Sequence, residues 1–140
     1  MSTKPRFVDK RALFDDRKFN FGDVWIVTDE FVTMPQADHT GTRKRHNERW
    51  VVVTSNNEEN FHPLCPIITV APLSHQIQLL KKFDLMLKKE NDSVNVDSLL
   101  QIKLMQPLLK KDLKEYKGAI SEDRKIDLQV LIEDFFGLQD

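Results

Sequence analysis

One apolar run limits most strongly what this chain can fold into. Residues 50–53 read Trp-Val-Val-Val, and a polar Ser-Asn-Asn cluster follows at 55–57. β-Branched side chains suit a pleated strand, and a short apolar run bounded by turn residues indicates a strand buried on both faces. The run therefore predicts a central strand over residues 49–54, with the charged Arg49 at its first position.

The composition is that of a single globular domain. A chain of 140 residues with 40% hydrophobic and 31% charged residues is long enough to bury a core. Its net charge of −1 excludes an overall basic field, so any anion site must be local. Cys65 is the single cysteine, which excludes an intrachain disulfide and a cysteine-based zinc cluster.

The sequence also bears on the compartment of the protein. No stretch approaches the ~20 apolar residues that a membrane span needs. Residues 1–16 are polar and lack the apolar segment of a secretory signal. We therefore expect a cytoplasmic protein without membrane contact.

Short strands separated by turns account for most of the remaining chain. Pro72 is expected to end the pairing of its strand, because proline lacks the N–H that a central strand donates. Further strands, helical turns and loops follow from the apolar spacing and the turn residues. The predicted strands are 24–27, 66–71, 83–87, 98–104 and 116–120, the helical turns 10–17 and 107–114, and the loops 33–48 and 56–63.

The chain closes with a well-marked helix over about residues 122–136. Ser121 is a good N-cap, two acidic residues follow it, and Gly137 is a natural stop. Together the elements predict a mostly-β fold with added helices (α+β), a small barrel with its helices outside the sheet. Residues 1–20 are predicted to be an N-terminal extension and residues 21–140 the barrel domain.

Several polar residues are candidates for binding a phosphate chain. The basic run 43–46 and Arg49 can neutralise phosphates, and Trp50 and Trp25 offer stacking surfaces. The alternative for the basic run is a solvated loop, with Arg49 as its tether. Ser74 stands where a predicted strand leaves the sheet, a position at which serine is otherwise simply a turn residue.

Gln101 and Lys103 share one face of a predicted strand, which is otherwise only its wet side. The four histidines have no ligand spacing, so no metal site is expected. No glycine-rich phosphate loop and no hydrolase serine motif occurs, so no nucleotide cofactor is expected.

Five short motifs occur in an order that is itself informative. They are Gly-Asp-Val at 22–24, Arg49 with Val-Val-Val-Thr-Ser-Asn at 51–56, Val-Ala-Pro-Leu-Ser at 70–74, Leu-Gln-Ile-Lys at 100–103 and Gly-Ala-Ile-Ser at 118–121. Over roughly residues 21–138 this succession resembles the MazF/PemK toxins of type II toxin–antitoxin systems. The chain departs from that pattern in a longer, more basic loop before Arg49, in Trp50 where the family has proline, and in Ser74 for the common threonine.

The resemblance implies an SH3-like barrel of the MazF/PemK/CcdB type with a C-terminal helix. It also implies a homodimer and a metal-independent endoribonuclease that cuts single-stranded RNA and is neutralised by a cognate antitoxin. It assigns catalysis to Arg49 and Ser74. RNA binding is expected from the remaining candidates, namely Arg43, Lys44, Arg45, His46, Trp50, Gln101 and Lys103. A non-catalytic nucleic-acid-binding barrel and a gyrase-poisoning toxin of the same fold remain alternatives.

Overall fold

The computed structural model describes residues 13–138. Within them one antiparallel sheet has seven strands, in the order β4-β5-β3-β2-β1-β7, and β6 pairs with the part of β3 that β5 leaves open. The strands are β1 Asp23–Thr28, β2 Glu48–Val53, β3 Ile67–Ser74, β4 Asp84–Leu87, β5 Ser98–Gln101, β6 Gln106–Leu109 and β7 Leu113–Ala119. The helices are α1 Pro35–Thr40, α2 Asn57–Asn60 and α3 Glu122–Phe135. Single 3-10 turns lie at Asp29–Phe31, Ile77–Leu79, Ile102–Leu104 and Lys110–Asp112.

Strand β2 lies at the centre of the packing, as the valine run predicts. Val51, Val52 and Val53 are fully buried. Because successive side chains of a strand point to opposite faces, they divide between two apolar clusters. Val51 and Val53 pack with Trp25 and others in one cluster. Val52 packs in the other, which also contains Leu128 of α3.

Four of the predicted strands are confirmed, with each end within one to three residues of its prediction. They are β1, β2, β4 and β7, predicted at 24–27, 49–54, 83–87 and 116–120. The closing helix is confirmed as α3. The Ser121 Oγ accepts from the backbone N–H of Arg124 at 3.3 Å, which satisfies one of the free donors of the first turn. Gly137 follows the helix with a φ of 68°, a conformation that suits glycine.

Pro72 does not end the pairing of β3, contrary to the sequence expectation; it pairs with β2, and the strand continues beyond it. The Thr54 N–H donates to the Thr69 carbonyl in the same register. Alternate residues turn their N–H groups to opposite edges, so the nitrogen of Pro72 points away from β2. On that edge pairing with β6 ends at Val70 and pairing with β5 begins at Leu73. The missing N–H therefore falls between two partner strands.

The two predicted loops each contain a short helix that the polar composition concealed. In the first, Pro35 opens α1 and the Asp38 carboxylate accepts from the Met34 N–H at 2.9 Å, while Gly41 ends it in the left-handed conformation. In the second, the Asn56 side chain caps α2 by accepting from the Glu59 N–H at 3.0 Å. Local capping explains both helices.

Two further boundaries were wrong. The strand predicted over 98–104 ends at Gln101, where the chain tightens into the 3-10 turn Ile102–Leu104. The helical turn predicted over 107–114 begins instead as β6, which pairs with β3, and becomes a 3-10 turn only at Lys110. Sheet pairing, a long-range effect, overrides the local pattern in this segment.

The helix predicted over 10–17 lies partly outside the described residues, and residues 14–17 are not helical. Here the Arg17 side chain reaches the barrel and donates to the Leu113 and Lys110 carbonyls at 2.8 and 2.7 Å. Phe19 is fully buried, 4.8 Å from the ring of Trp25. The division of the chain at residue 20 stays a prediction. No helix within residues 13–138 is long and apolar enough to cross a membrane.

Candidate functional site

The segment between α1 and β2, residues 41–47, is called the basic loop below. A groove of about 850 Å³ opens where this loop, the end of β3 and the β4–β5 hairpin meet. Its size is in the range of ligand-binding clefts. Trp25, one of the two stacking candidates, is instead buried in the core. Eight of the nine residues predicted for catalysis or RNA binding line this groove. They are Arg43, Lys44, His46, Arg49, Trp50, Ser74, Gln101 and Lys103. Arg45 lines a neighbouring depression that it shares with His46. The structure therefore brings these residues together, and their roles stay predictions.

Arg49 is anchored through two of its nitrogens and keeps free donors on its two terminal nitrogens. Its Nε donates to the Asp29 carboxylate at 2.6 Å, and its Nη1 donates to the Leu73 carbonyl at 3.3 Å. A guanidinium has five N–H donors, so three of them have no partner within the described residues. The side chain is 13% exposed. The free N–H groups, one on Nη1 and two on Nη2, form the open edge of the guanidinium. Arg49 lines the groove, and such a fork of donors matches a phosphate.

Ser74 is the last residue of β3 and directly follows Leu73, the residue whose carbonyl anchors Arg49. Its Oγ accepts from the backbone N–H of Gln76 at 3.3 Å. The hydroxyl hydrogen is therefore available for donation into the groove. The structure places a hydroxyl donor and a guanidinium at one end of the same cleft.

Asp29 is the anchor of this end of the groove, and it is 1% exposed. One oxygen accepts from Arg49 and from Arg43 Nη2, both at 2.6 Å, and the other accepts from the His46 backbone N–H at 3.1 Å. Burial by itself raises the pKa of Asp29, but these three hydrogen bonds outweigh it and lower the pKa to about 2. The carboxylate is ionised throughout the neutral range.

Arg43 is built into the structure rather than displayed on its surface. Its side chain is 5% exposed. It donates to the Asp29 and Val32 carbonyls at 2.7 Å each and pairs with the Asp38 carboxylate at 3.1 Å. These contacts fasten the basic loop to the 3-10 turn after β1. The sequence left open the alternative that Arg49 only tethers this loop. In the structure Arg43 also acts as a tether.

The far wall of the groove is formed by the β4–β5 hairpin. Gln101 pairs with Asp84 across the two strands. The Gln101 Oε1 is buried and has no hydrogen-bond partner within the described residues. The Lys103 ammonium lies 5.9 Å from the ring centre of Phe83. Although β5 ends before Lys103, both Gln101 and Lys103 line the groove.

Aromatic and imidazole side chains also line the groove. Trp50 lies in the groove wall, with the Lys117 ammonium 5.3 Å from its ring centre. His46 and His75 are exposed groove residues. No group of three possible metal ligands lies together within residues 13–138. The groove therefore combines apolar side chains, such as Leu79 and Leu104, with cationic, hydroxyl, amide and carboxylate groups that a ligand can contact.

Sequence reasoning missed Asp29, Asp84 and His75 as residues of this site. Asp29 follows β1 with no motif around it, and it meets Arg49 only because β1 pairs with β2 as far as Thr28 and Glu48. The sequence signal that could have located Asp29 was the predicted pair of strands at 24–27 and 49–54. If they form a hairpin, the residues after the first strand lie beside the start of the second. Asp84 reaches the groove through its pairing with Gln101.

Comparison with solved structures decides the fold. The Mycobacterium tuberculosis toxin MazF-mt6 superposes with a TM-score of 0.62, at 17% identity over 84% of this chain and 99% of that one. The chain has the fold of MazF toxins. A mycobacterial endoribonuclease in complex with its cognate antitoxin gives a TM-score of 0.61 at 13% identity, covering 88% and 97% of the two chains. A MazE–MazF structure from Deinococcus radiodurans gives 0.57 at 11%, covering 85% and 94%.

The MazF fold confirms the predicted fold class, a mostly antiparallel β structure closed by a C-terminal helix. Two of these MazF-type structures are complexes of a toxin with an antitoxin. No family model matches the sequence. No curated protein matches it either. At 11–17% identity the similarity is one of fold, and function must be argued from the site.

Proposed function

We propose that this protein is a toxin component of a type II toxin–antitoxin system, a metal-independent endoribonuclease that cleaves single-stranded RNA in the cytoplasm. The observation that supports this most directly is the position of Arg49. Its open guanidinium edge and the Ser74 hydroxyl lie at one end of a groove that also carries exposed cationic side chains. The MazF fold, seen also in structures described as endoribonucleases, agrees with this proposal.

The reaction is an internal transfer of a phosphodiester bond. The RNA 2′-oxygen attacks the adjacent phosphorus, the bond from phosphorus to the 5′-oxygen breaks, and a 2′,3′-cyclic phosphate forms. The 2′-hydroxyl proton is lost to solvent, and the departing 5′-oxygen takes up a proton. The transition state carries more negative charge on the phosphoryl oxygens than the substrate does, so a fixed cation there accelerates the step.

In this scheme Arg49 stabilises the phosphoryl oxygens through its open edge, and Ser74 donates a hydrogen bond that orients the phosphate. Lys44, Arg45 and Lys103 supply positive charge along the RNA, His46 contacts it by hydrogen bonding, and Trp50 and Gln101 contact its bases. Arg43 contributes mainly by holding the basic loop, since its guanidinium is committed to Asp29, Asp38 and backbone carbonyls.

The test is incubation of the purified protein with a defined single-stranded RNA in EDTA. We expect discrete cuts with cyclic phosphate ends. Arg49→Ala should lower kcat by about 10²–10³, as loss of one oxyanion donor does elsewhere, and Arg49→Lys should recover only part of it because an ammonium lacks the fork. Arg124→Ala is the matched control, since Arg124 is a surface arginine of α3 paired with Asp127.

The outcomes separate the alternatives. RNA retained without cuts would support a binding barrel instead of a nuclease. Intact RNA together with inhibited supercoiling would support a gyrase poison. Cutting by Arg49→Ala at the wild-type rate would contradict the assignment of Arg49. We further propose that the protein forms a homodimer and that an acidic antitoxin segment occupies the cationic groove, because such a segment complements its charge.

A further inference from the structure

The β4–β5 wall of the groove holds two acceptor groups that the fold itself does not use. The Gln101 Oε1 is buried without a partner among the described residues, and a buried polar atom left unpaired costs free energy. Asp84 uses one carboxylate oxygen to accept from the Lys81 N–H at 3.0 Å. Its other oxygen has no hydrogen bond within residues 13–138. Both side chains line the groove. The Gln101 Oε1 itself has no surface open to the groove, so a half-turn of the amide about its last side-chain torsion, which is soft and roughly two-fold, brings this oxygen to the ligand.

The strand register brings these acceptors to one face with Ser74. Asp84 lies opposite Gln101, and Leu99 lies opposite Ser74. Directly paired residues of antiparallel strands project to the same face, and so do residues two apart on one strand. Gln101 is two residues beyond Leu99, a step of about 6.6 Å along the strand. With neighbouring strands about 4.8 Å apart, Gln101 lies roughly 8 Å and Asp84 roughly 12 Å from Ser74, which is within about two nucleotides of the end of the groove that holds Ser74 and Arg49.

We infer that Asp84 and Gln101 form a subsite for a guanine base next to the scissile phosphate. This inference rests on the proposed function and names the base that the groove selects. Guanine presents two adjacent donors on its Watson–Crick edge, the ring N1–H and the exocyclic 2-amino group, which match a free carboxylate oxygen beside an amide oxygen. Its O6 is an acceptor for the Lys103 ammonium, which lies on the same wall.

The other bases fit this pair of acceptors poorly. Adenine and cytosine each offer one amino group beside a ring nitrogen that is itself an acceptor, so one protein oxygen would face a lone pair. Uracil offers one N–H between two carbonyl oxygens. A site of paired acceptors discriminates against such bases because its own buried groups then remain unpaired.

The test measures binding separately from cleavage. Five-residue RNAs with 2′-O-methyl groups throughout cannot undergo internal transfer. One series consists of uridine with a single guanosine at each position in turn, and matched series carry inosine, adenosine or uridine there. At one position guanosine should bind at least about tenfold tighter than uridine. Inosine, which lacks only the 2-amino group, should lie between them.

Variants then locate the preference. Asp84→Asn keeps the shape of the side chain and an acceptor for the Lys81 N–H, so it should fold, lose the preference for guanosine and bind the all-uridine RNA within about twofold of wild type. Gln101→Ala should also weaken the preference. Asp127→Asn on α3, outside the groove, should leave it unchanged.

Equal binding of guanosine, adenosine and uridine at every position, or a preference that survives Asp84→Asn, overturns the guanine subsite while leaving the nuclease proposal intact. Absence of binding to every RNA overturns the proposed function, and the subsite with it.

Discussion

At the scale of single residues, the counter-charge behind Arg49 matters as much as Arg49 itself. A strand's first position would tolerate loss of an exposed arginine with little change in stability. Here the Nε of Arg49 bonds a buried carboxylate that also holds Arg43. Removing one partner of a buried ion pair is costly. Because Asp29 retains its ion pair with Arg43, we expect Arg49→Ala to fold with a moderate loss of stability.

Asp29 is predicted to be a positioning residue for Arg49. Asp29→Asn keeps an oxygen near Arg49 but removes the charge that orients both guanidiniums, so kcat should fall on the order of 10–10²-fold with a smaller change in KM. Asp38→Asn is the matched control. Asp38 also pairs with Arg43, but none of its contacts within the described residues involves Arg49.

The pair of variants separates orientation from folding. In an Arg49→Ala background, Asp29→Asn should add almost nothing to the loss of activity, because both act through one guanidinium. Independent, additive losses in kcat would contradict the positioning role. So would an Asp38→Asn variant as impaired as Asp29→Asn.

Asp29 also gives folding stability a pH dependence. Its pKa is lowered from 3.8 to about 2 in the folded protein, so it stabilises the fold fully above about pH 5 and loses this contribution progressively as the pH falls to 2 and below. The contribution is about 2 kcal/mol. Burial raises the pKa of Asp23, which acts in the opposite direction. Urea unfolding should therefore show a difference between wild type and Asp29→Asn that is largest at pH 6 and shrinks towards pH 2.

At the scale of elements, regular patterns were predictable and local caps were not. The valine run and the closing helix carry their periodicity in consecutive residues, and β2 and α3 match the prediction. Helices α1 and α2 are 6 and 4 residues long. Elements so short depend on single capping contacts, such as the Asn56 side chain, that no periodicity reveals.

In the basic loop the structure separates the residues that can contact RNA from the one that holds the loop in place. Arg43 is buried and serves the fold, whereas Lys44 and Arg45 lie nearer the surface. Replacing Lys44 and Arg45 with alanine should reduce the slope of log affinity for RNA against log salt by roughly 0.7 for each phosphate that the variant no longer neutralises. The double replacement Lys111→Ala and Lys114→Ala serves as control, since both are exposed lysines that do not line the groove.

An unchanged slope in the Lys44 and Arg45 variant would mean that this loop does not contact the phosphates. Arg43→Ala should instead lower the melting temperature, because it leaves Asp29, Asp38 and two backbone carbonyls with one donor fewer each. A single variant combining all three positions would confuse these two effects.

At the scale of the whole molecule, the groove exists only because strands that are distant in the sequence pair in one sheet. Arg49 and Asp29 are 20 residues apart, and Arg49 and Leu73 are 24 apart. Single-sequence patterns located most of the lining but not the contacts, since the register of the strands decides which residues meet. The fold is shared with MazF toxins at 17% identity and below, because a barrel requires the pattern of apolar residues more than their identities.

The last prediction concerns assembly. The exposed large apolar side chains of the described residues include two groups outside the groove. One surrounds the start of β3, with Phe14, Phe61, Leu64 and Ile67 exposed, and the other lies on and after α3, with Ile126 at 62% exposure. Exposed apolar patches commonly mark protein interfaces, and a two-fold dimer is the commonest way to bury one. We therefore expect sedimentation at micromolar concentration to give twice the chain mass of 16.4 kDa.

Two substitutions locate the interface. Leu64→Glu and Ile126→Glu each place a charge at the centre of one patch, where desolvating it across an interface is costly. Neither side chain belongs to a buried core, so each variant should fold, which thermal melts will check. The variant that sediments as a monomer identifies the contacting face, and the other should remain dimeric. A wild-type protein that sediments only at 16.4 kDa would contradict the prediction, and the groove of a single chain would then have to bind RNA by itself.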